Sequence, residues 1–191
     1  MGQYYNPTIL KKNWKKSKKG IVKATLISYD FDNGAKLMEH SWVGNNFVGA
    51  VAHLLANGYK GYPFVWVGDY ADEVEINSEK VDVYTKGEEW CSKHVNKMPI
   101  TIYDNVPTYK YIVNYTKKEY CTIPTKVKGE WQIHPLPILT CSGNGRGGGD
   151  FHNKDINDER VGSWAYDRIG VTNNKKEFAG FKEINSHFEE E

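Results

Sequence analysis

Only one stretch of this chain carries a sustained helical pattern, and that scarcity narrows the fold more than any other feature. Between Ala35 and Asn57, the residues Leu37, Phe47, Val51, Leu54 and Leu55 fall near one face at helical spacing, and Gly58 supplies a stop. Gly44-Asn45 interrupts the run, which allows two consecutive helices with Asn45 capping the second. Most of the remaining pattern is extended. Gln3 to Leu10 reads as a first strand, with Pro7 pointing to a sheet edge. Ile21 to Phe31 reads as a second strand, joined to the first across the Lys-rich loop 11–20 and ended by Asp32-Asn33-Gly34.

Tyr62 to Val67 gives a third strand, and Tyr109–Asn114 and Glu119–Ile123 form a hairpin across Tyr115-Thr116-Lys117-Lys118. Trp131 to Cys141 is apolar, and Pro135 and Pro137 make it an edge strand or an irregular segment. A last strand runs around Trp164 to Val171, while Val74 to Pro107 has mixed charge and no clean period. One helical segment set against many short strands predicts a single α+β domain over residues 1–191. Its sheet is mostly antiparallel and packs on the Ala35–Asn57 segment, with 142–160 as a Gly-rich and polar loop.

Charge limits the classes of partner. A net charge of +1 argues against a strong overall field for nucleic acid or membrane, so nucleic acid stands only as a weaker alternative. Charge is nevertheless local: Lys11, Lys12, Lys15, Lys16, Lys18 and Lys19 crowd one segment with Trp14 in its midst. That segment is either a solvated loop or a phosphate-contacting patch. Cys91, Cys121 and Cys141 are widely spaced without a C-x-x-C pair, which fits reduced thiols in a cytoplasmic protein. No apolar run approaches the roughly 20 residues that span a bilayer, and no membrane partner is expected.

The stretch Ser142-Gly143-Asn144-Gly145-Arg146-Gly147-Gly148-Gly149-Asp150 concentrates the functional signal. Glycines in such number let backbone N–H groups come close to an anion. Gly143, Gly145 and Gly148 satisfy G-x-G-x-x-G, yet no helix opens after them, and no Lys-Ser or Lys-Thr follows as in a P-loop. What survives is a generic anion nest. Its expected ligand-binding residues are Gly143, Asn144, Gly145, Arg146, Gly147, Gly148, Gly149 and Asp150, with Trp164, Asp167 and Arg168 beyond it. Trp42, Trp66 or Trp164 would offer a stacking surface.

The leading expectation is therefore a binding module for a phosphate-bearing small molecule, in particular a nucleotide. A nucleotide-directed hydrolase or transferase is the alternative, with Asp69, Asp150 or Asp167 as general base or metal ligand. Metal sets are thinner: His40 with Asp69, Asp72 and Glu73, or His134 with Asp150 and His152, lack any recognised ligand spacing, and no cofactor is assigned. Ser41, Ser163 and the cysteines lack an orienting partner in sequence.

Several segments together also resemble a known set of proteins. They are the opening Met-Gly-Gln-Tyr-Tyr, Lys36 through Asn45, Gly68-Asp69-Tyr70-Ala71, Asn114 through Tyr120, Gly145 through Asp150, and Val161 through Ile169. The chain resembles, over nearly its whole length, a family of uncharacterised proteins of bacteria, bacteriophages and some fungi that begin in this way. The resemblance carries no activity and names no catalytic residue. It places a glycine where this chain has Tyr166. Its phage context implies a third expectation, a small protein that blocks or sequesters a host component through exposed aromatics.

Overall fold

The computed structural model describes residues 1–94, 107–152 and 158–190. In chain order the strands are β1 (Tyr5–Leu10), β2 (Val22–Thr25), β3 (Tyr62–Gly68), β4 (Val74–Ile76), β5 (Glu79–Val81), β6 (Tyr111–Asn114), β7 (Glu119–Thr122), β8 (Cys141–Ser142), β9 (Arg168–Thr172) and β10 (Lys182–Glu183). The helices are α1 (Leu37–His40), α2 (Asn46–Ala56), α3 (Val83–Lys93) and α4 (Pro135–Thr140). One sheet of eight strands runs in the order β10-β7-β6-β9-β3-β1-β2, with β8 also pairing to β3. Its ladders are antiparallel except β3 with β8 and β7 with β10. The fold is α+β, and its sheet is mostly antiparallel.

β3 organises the core because both of its faces are covered. Phe64 and Trp66 point to one side and join Leu37, Phe47, Val51, Leu55, Leu136 and Leu139 from α1, α2 and α4. Val65 and Val67 point to the other side, where Leu10, Trp14, Val22, Ile76 and Val83 close over them. Side chains alternate along a strand, so a run buried on both faces must be apolar throughout. The predicted break at Gly44-Asn45 is real: Asn45 caps α2, its side chain accepting from the Val48 N–H at 3.1 Å.

Four expectations need correction. β1 lies inside the sheet between β2 and β3, not at an edge. Pro7 is tolerated there because its carbonyl accepts from Leu26 at the end of the β2 ladder, so its missing N–H faces the place where that pairing stops. For the same reason the second strand is short. It ends at Thr25, and Ser28–Phe31 turns as a 3-10 helix.

Pro135 and Pro137 open a helix, α4, in place of an extended segment. Both occupy its first turn, where a backbone N–H has no helical partner, and His134 accepts from the Leu136 N–H through Nδ1 at 3.2 Å. The last strand starts only at Arg168, since Trp164–Asp167 turn. Tyr166 holds φ 68° in that turn, the left-handed conformation that glycine adopts freely, and its ring stacks on Trp14 at 5.6 Å.

α3 lies in the stretch without a clean period. Its signal was a cap and a small residue: Asp82 accepts from the Thr85 N–H at 3.2 Å, and Gly87 lets the helix close on Thr8 and Thr25. Among the described residues no helix is long and apolar enough to cross a membrane.

Candidate functional site

The glycine loop binds an anion that belongs to the chain itself. The N–H groups of Gly145, Arg146 and Gly147 all donate to Asp150 Oδ2, at 2.7, 2.8 and 3.0 Å. The Tyr5 hydroxyl donates to Asp150 Oδ1 at 2.9 Å, and Asp150 is 1% exposed. Burial first, and the Asp150 charge second, push the Tyr5 hydroxyl far above its ordinary range, so it stays a donor. Asn144 closes the loop by exchanging two bonds with the backbone of Phe151, each 2.9 Å.

The glycine content has a packing cause. Gln3 donates through its backbone to the Gly148 carbonyl, and Gly148 donates to that of Met1. A Cβ on Gly147 would stand 2.5 Å from Cβ of Gln3, and one on Gly149 would stand 2.4 Å from the Lys36 side chain. The loop is a clasp over the start of the chain.

Arg146 points away from the nest. Its guanidinium takes Asp72 bidentately at 2.8 and 2.6 Å and reaches the Tyr70 carbonyl at 2.8 Å. The hydrogen bond and charge of Asp72 raise the arginine further, and the same pairing lowers the Asp72 carboxyl. Two expected partners of the nest lie elsewhere. Asp167 accepts from Asn114 Nδ2 at 2.8 Å, and Arg168 donates through Nε to the Gly61 carbonyl at 3.1 Å.

Other candidates have structural partners. Asp69 accepts from the Tyr4 N–H at 3.0 Å. Trp66 and Trp164 are both fully buried and offer no stacking face; the Trp164 indole donates to Glu119 at 2.9 Å. Trp66 donates to His40 Nε2 at 3.0 Å, so His40 carries its proton on Nδ1 and gives it to the Gly34 carbonyl at 3.0 Å. Burial lowers His40 to about 4 and His134 to about 3, keeping both rings neutral. Ser41 donates to the Leu37 carbonyl, and burial pushes the Cys141 thiol up to about 12. His152 is exposed. Among the described residues no group of three or more His, Cys, Asp or Glu side chains is placed to hold a metal ion.

The lysines present a different arrangement. A cleft of about 430 Å³ opens between β2, at the end of the sheet, and α3; Lys11, Lys23, Lys86, Lys93, Trp90 and His94 line it. A second hollow of about 470 Å³ shares Gly20, Ile21 and Lys86 with it and adds Lys18. The Trp90 and His94 rings stack at 4.3 Å and 12°, fixed by a 2.7 Å bond from His94 Nδ1 to the Trp90 carbonyl. Lys86 pairs with Glu89 at 2.8 Å, and Lys11 donates to the Lys19 carbonyl at 2.7 Å. Lys23 and Lys93 are exposed and have no carboxylate within ion-pair distance among the described residues.

Nothing in the sequence marks Lys23, Lys86, Lys93 and the two rings as a set, because α3 has no clean period and Lys23 lies in a strand far from it along the chain. Trp14, at the centre of the Lys-rich loop, is buried and supplies no surface ring. No protein-family model matches the chain, and no curated protein or solved structure matches it either.

Proposed function

We propose that the protein binds a phosphate-bearing small molecule, such as a nucleotide, in the lysine-lined cleft and not in the glycine loop. One observation carries this reading: lysines from two separate elements converge beside a preset aromatic pair, with Lys23 and Lys93 exposed and outside any direct ion pair among the described residues. Ammonium groups are point charges that suit phosphate oxygens, and a ring wall suits a flat base. In the glycine loop the equivalent donors are already spent on Asp150, and Arg146 on Asp72.

A thermal-shift panel of mono-, di- and cyclic nucleotides and pyrophosphate tests the reading, because a ligand that binds only the folded state must stabilise it. A shift abolished by Lys23→Gln with Lys93→Gln, and retained by Arg146→Ala, is the expected pattern. The reverse pattern, or no shift with any phosphate compound at millimolar concentration, would overturn it.

A further inference from the structure

At the start of α2 two positive ends meet without an anion between them. A helix N-terminus carries a partial positive charge, which an acidic side chain or a bound anion offsets. The first turn of α2 holds no acidic residue, and Lys126 folds its side chain over Gly44, one residue before the cap. A Cβ on Gly44 would stand 2.8 Å from Lys126 Nζ, so the ammonium lies against the backbone there. Lys126 has no carboxylate within ion-pair distance among the described residues. The Phe47 and Val48 N–H groups already donate to the side chains of Asn46 and Asn45, at 2.8 and 3.1 Å. What the helix end adds to Lys126 is therefore its dipole.

A second group in the same cleft lacks an acceptor. His134 lines a cleft of about 550 Å³ with Ala52, Tyr109, Lys110, Ile123 and Lys126, and no aspartate or glutamate lines it. The histidine is only 6% exposed. Its Nδ1 accepts from the Leu136 N–H, so the neutral ring carries its proton on Nε2. That N–H has no acceptor among the described residues, and it is not sealed from water. The unpartnered side-chain atoms shut off from solvent are Gln3 Nε2, Gln132 Oε1 and Tyr166 Oη, and His134 Nε2 is none of them. A ring nine-tenths buried thus opens a free donor into a cleft without acid. A donor in such a place is satisfied by an acceptor that enters the cleft.

We infer that this cleft binds a small organic carboxylate with an apolar tail. The carboxylate accepts from His134 Nε2 and answers the charge of Lys126 and of the α2 N-terminus. Ala52, Tyr109 and Ile123 supply apolar wall for the tail. One neutral N–H beside ammonium groups suits the two oxygens of a monoanion, whereas a phosphate would leave further oxygens against that apolar wall. A neutral molecule of the same shape keeps the wall and loses the charge. The inference does not depend on the phosphate reading, which concerns a cleft with no lining residue in common with this one.

The test is a calorimetric titration of the intact protein with n-butyrate, alongside n-butyramide as the neutral counterpart and inorganic phosphate as the anion without a tail. Saturable binding of n-butyrate, with the two controls weaker by at least about fivefold, is expected. Lys126→Gln should weaken it by a similar factor; the side chain is exposed, and an unchanged thermal melt would show that the variant folds. His134 caps α4, so it is followed by the nuclear magnetic resonance of its ring nitrogens in the unaltered protein, where the Nε2 signal should move on titration. Equal binding of n-butyramide or phosphate, no binding up to roughly 10 mM, an unmoved His134 signal at saturation, or full affinity in folded Lys126→Gln would overturn the assignment.

Discussion

The glycine loop and the lysine cleft are both rich in donors for an anion, and they differ in where the anion comes from. In the loop three N–H groups and one hydroxyl surround a carboxylate supplied three to five residues down the chain, and that carboxylate is shut away from water. In the cleft Lys23 and Lys93 are exposed and make no direct ion pair among the described residues, although Glu89 lies close enough to feel the charge of Lys93. Donor density alone therefore says little about ligand binding. A set of donors satisfied from within contributes stability, and a set left to solvent is available to something else.

The contrast can be broken most severely at Asp150. Asp150→Ala strips the acceptor from four donors at once, three part-buried backbone N–H groups and the buried Tyr5 hydroxyl, so unfolding free energy should fall by about 4 kcal/mol in urea denaturation. A loss under about 1 kcal/mol would mean that the nest is not a structural clasp. Comparable in size is the response to acid. The folded state keeps His40 neutral down to about 4 and His134 to about 3, whereas the unfolded chain takes up both protons near 6.5. Stability present above pH 6.5 should then drain away as pH falls toward 4, by about 3 kcal/mol from His40 alone. A flat profile of unfolding free energy across that window would show that the rings are protonated in the folded protein.

Smaller effects separate the two regions by function. Lys23→Gln combined with Lys93→Gln should weaken a nucleotide that shifts the melt by about tenfold or more, with little change in the melting midpoint of the free protein. Isothermal titration reads the first quantity and a thermal melt the second. The smallest effect belongs to Arg146→Ala. Its ion pair with Asp72 is largely exposed, with side-chain accessibilities of 44% and 81%, so neither the midpoint nor the nucleotide affinity should move measurably. A large loss of affinity on that substitution would return the binding site to the glycine loop.

Local chemistry made part of the fold legible. Asn45 before an apolar run marked the start of α2, and the strand-forming runs Tyr109–Asn114 and Glu119–Ile123 on either side of a polar turn marked a hairpin. Both signals, the cap and the polar turn Tyr115-Thr116-Lys117-Lys118 between two short runs, lie within a few residues of what they specify. Pro135 and Pro137 misled because proline disfavours a sheet interior and a helix interior alike, and only its place in the first helical turn distinguishes the cases. Pro7 misled because an edge can be one end of one ladder, which depends on the length of β2.

By itself, then, the sequence determined an α+β chain with little net charge, the capped helix α2, most of the strand segments and the glycine-rich stretch as a place where donors crowd an anion. Only the tertiary structure decided that this anion is Asp150, that Arg146 turns to Asp72, and that Trp66 and Trp164 are core while Trp131 is surface. It also brought Lys23 of β2 beside Lys93 of α3, seventy residues apart in sequence, and Trp42 beside Trp131. The physical reason is that caps and strand alternation are local properties of the backbone. Whether a polar group is spent or free depends on which distant segment packs against it.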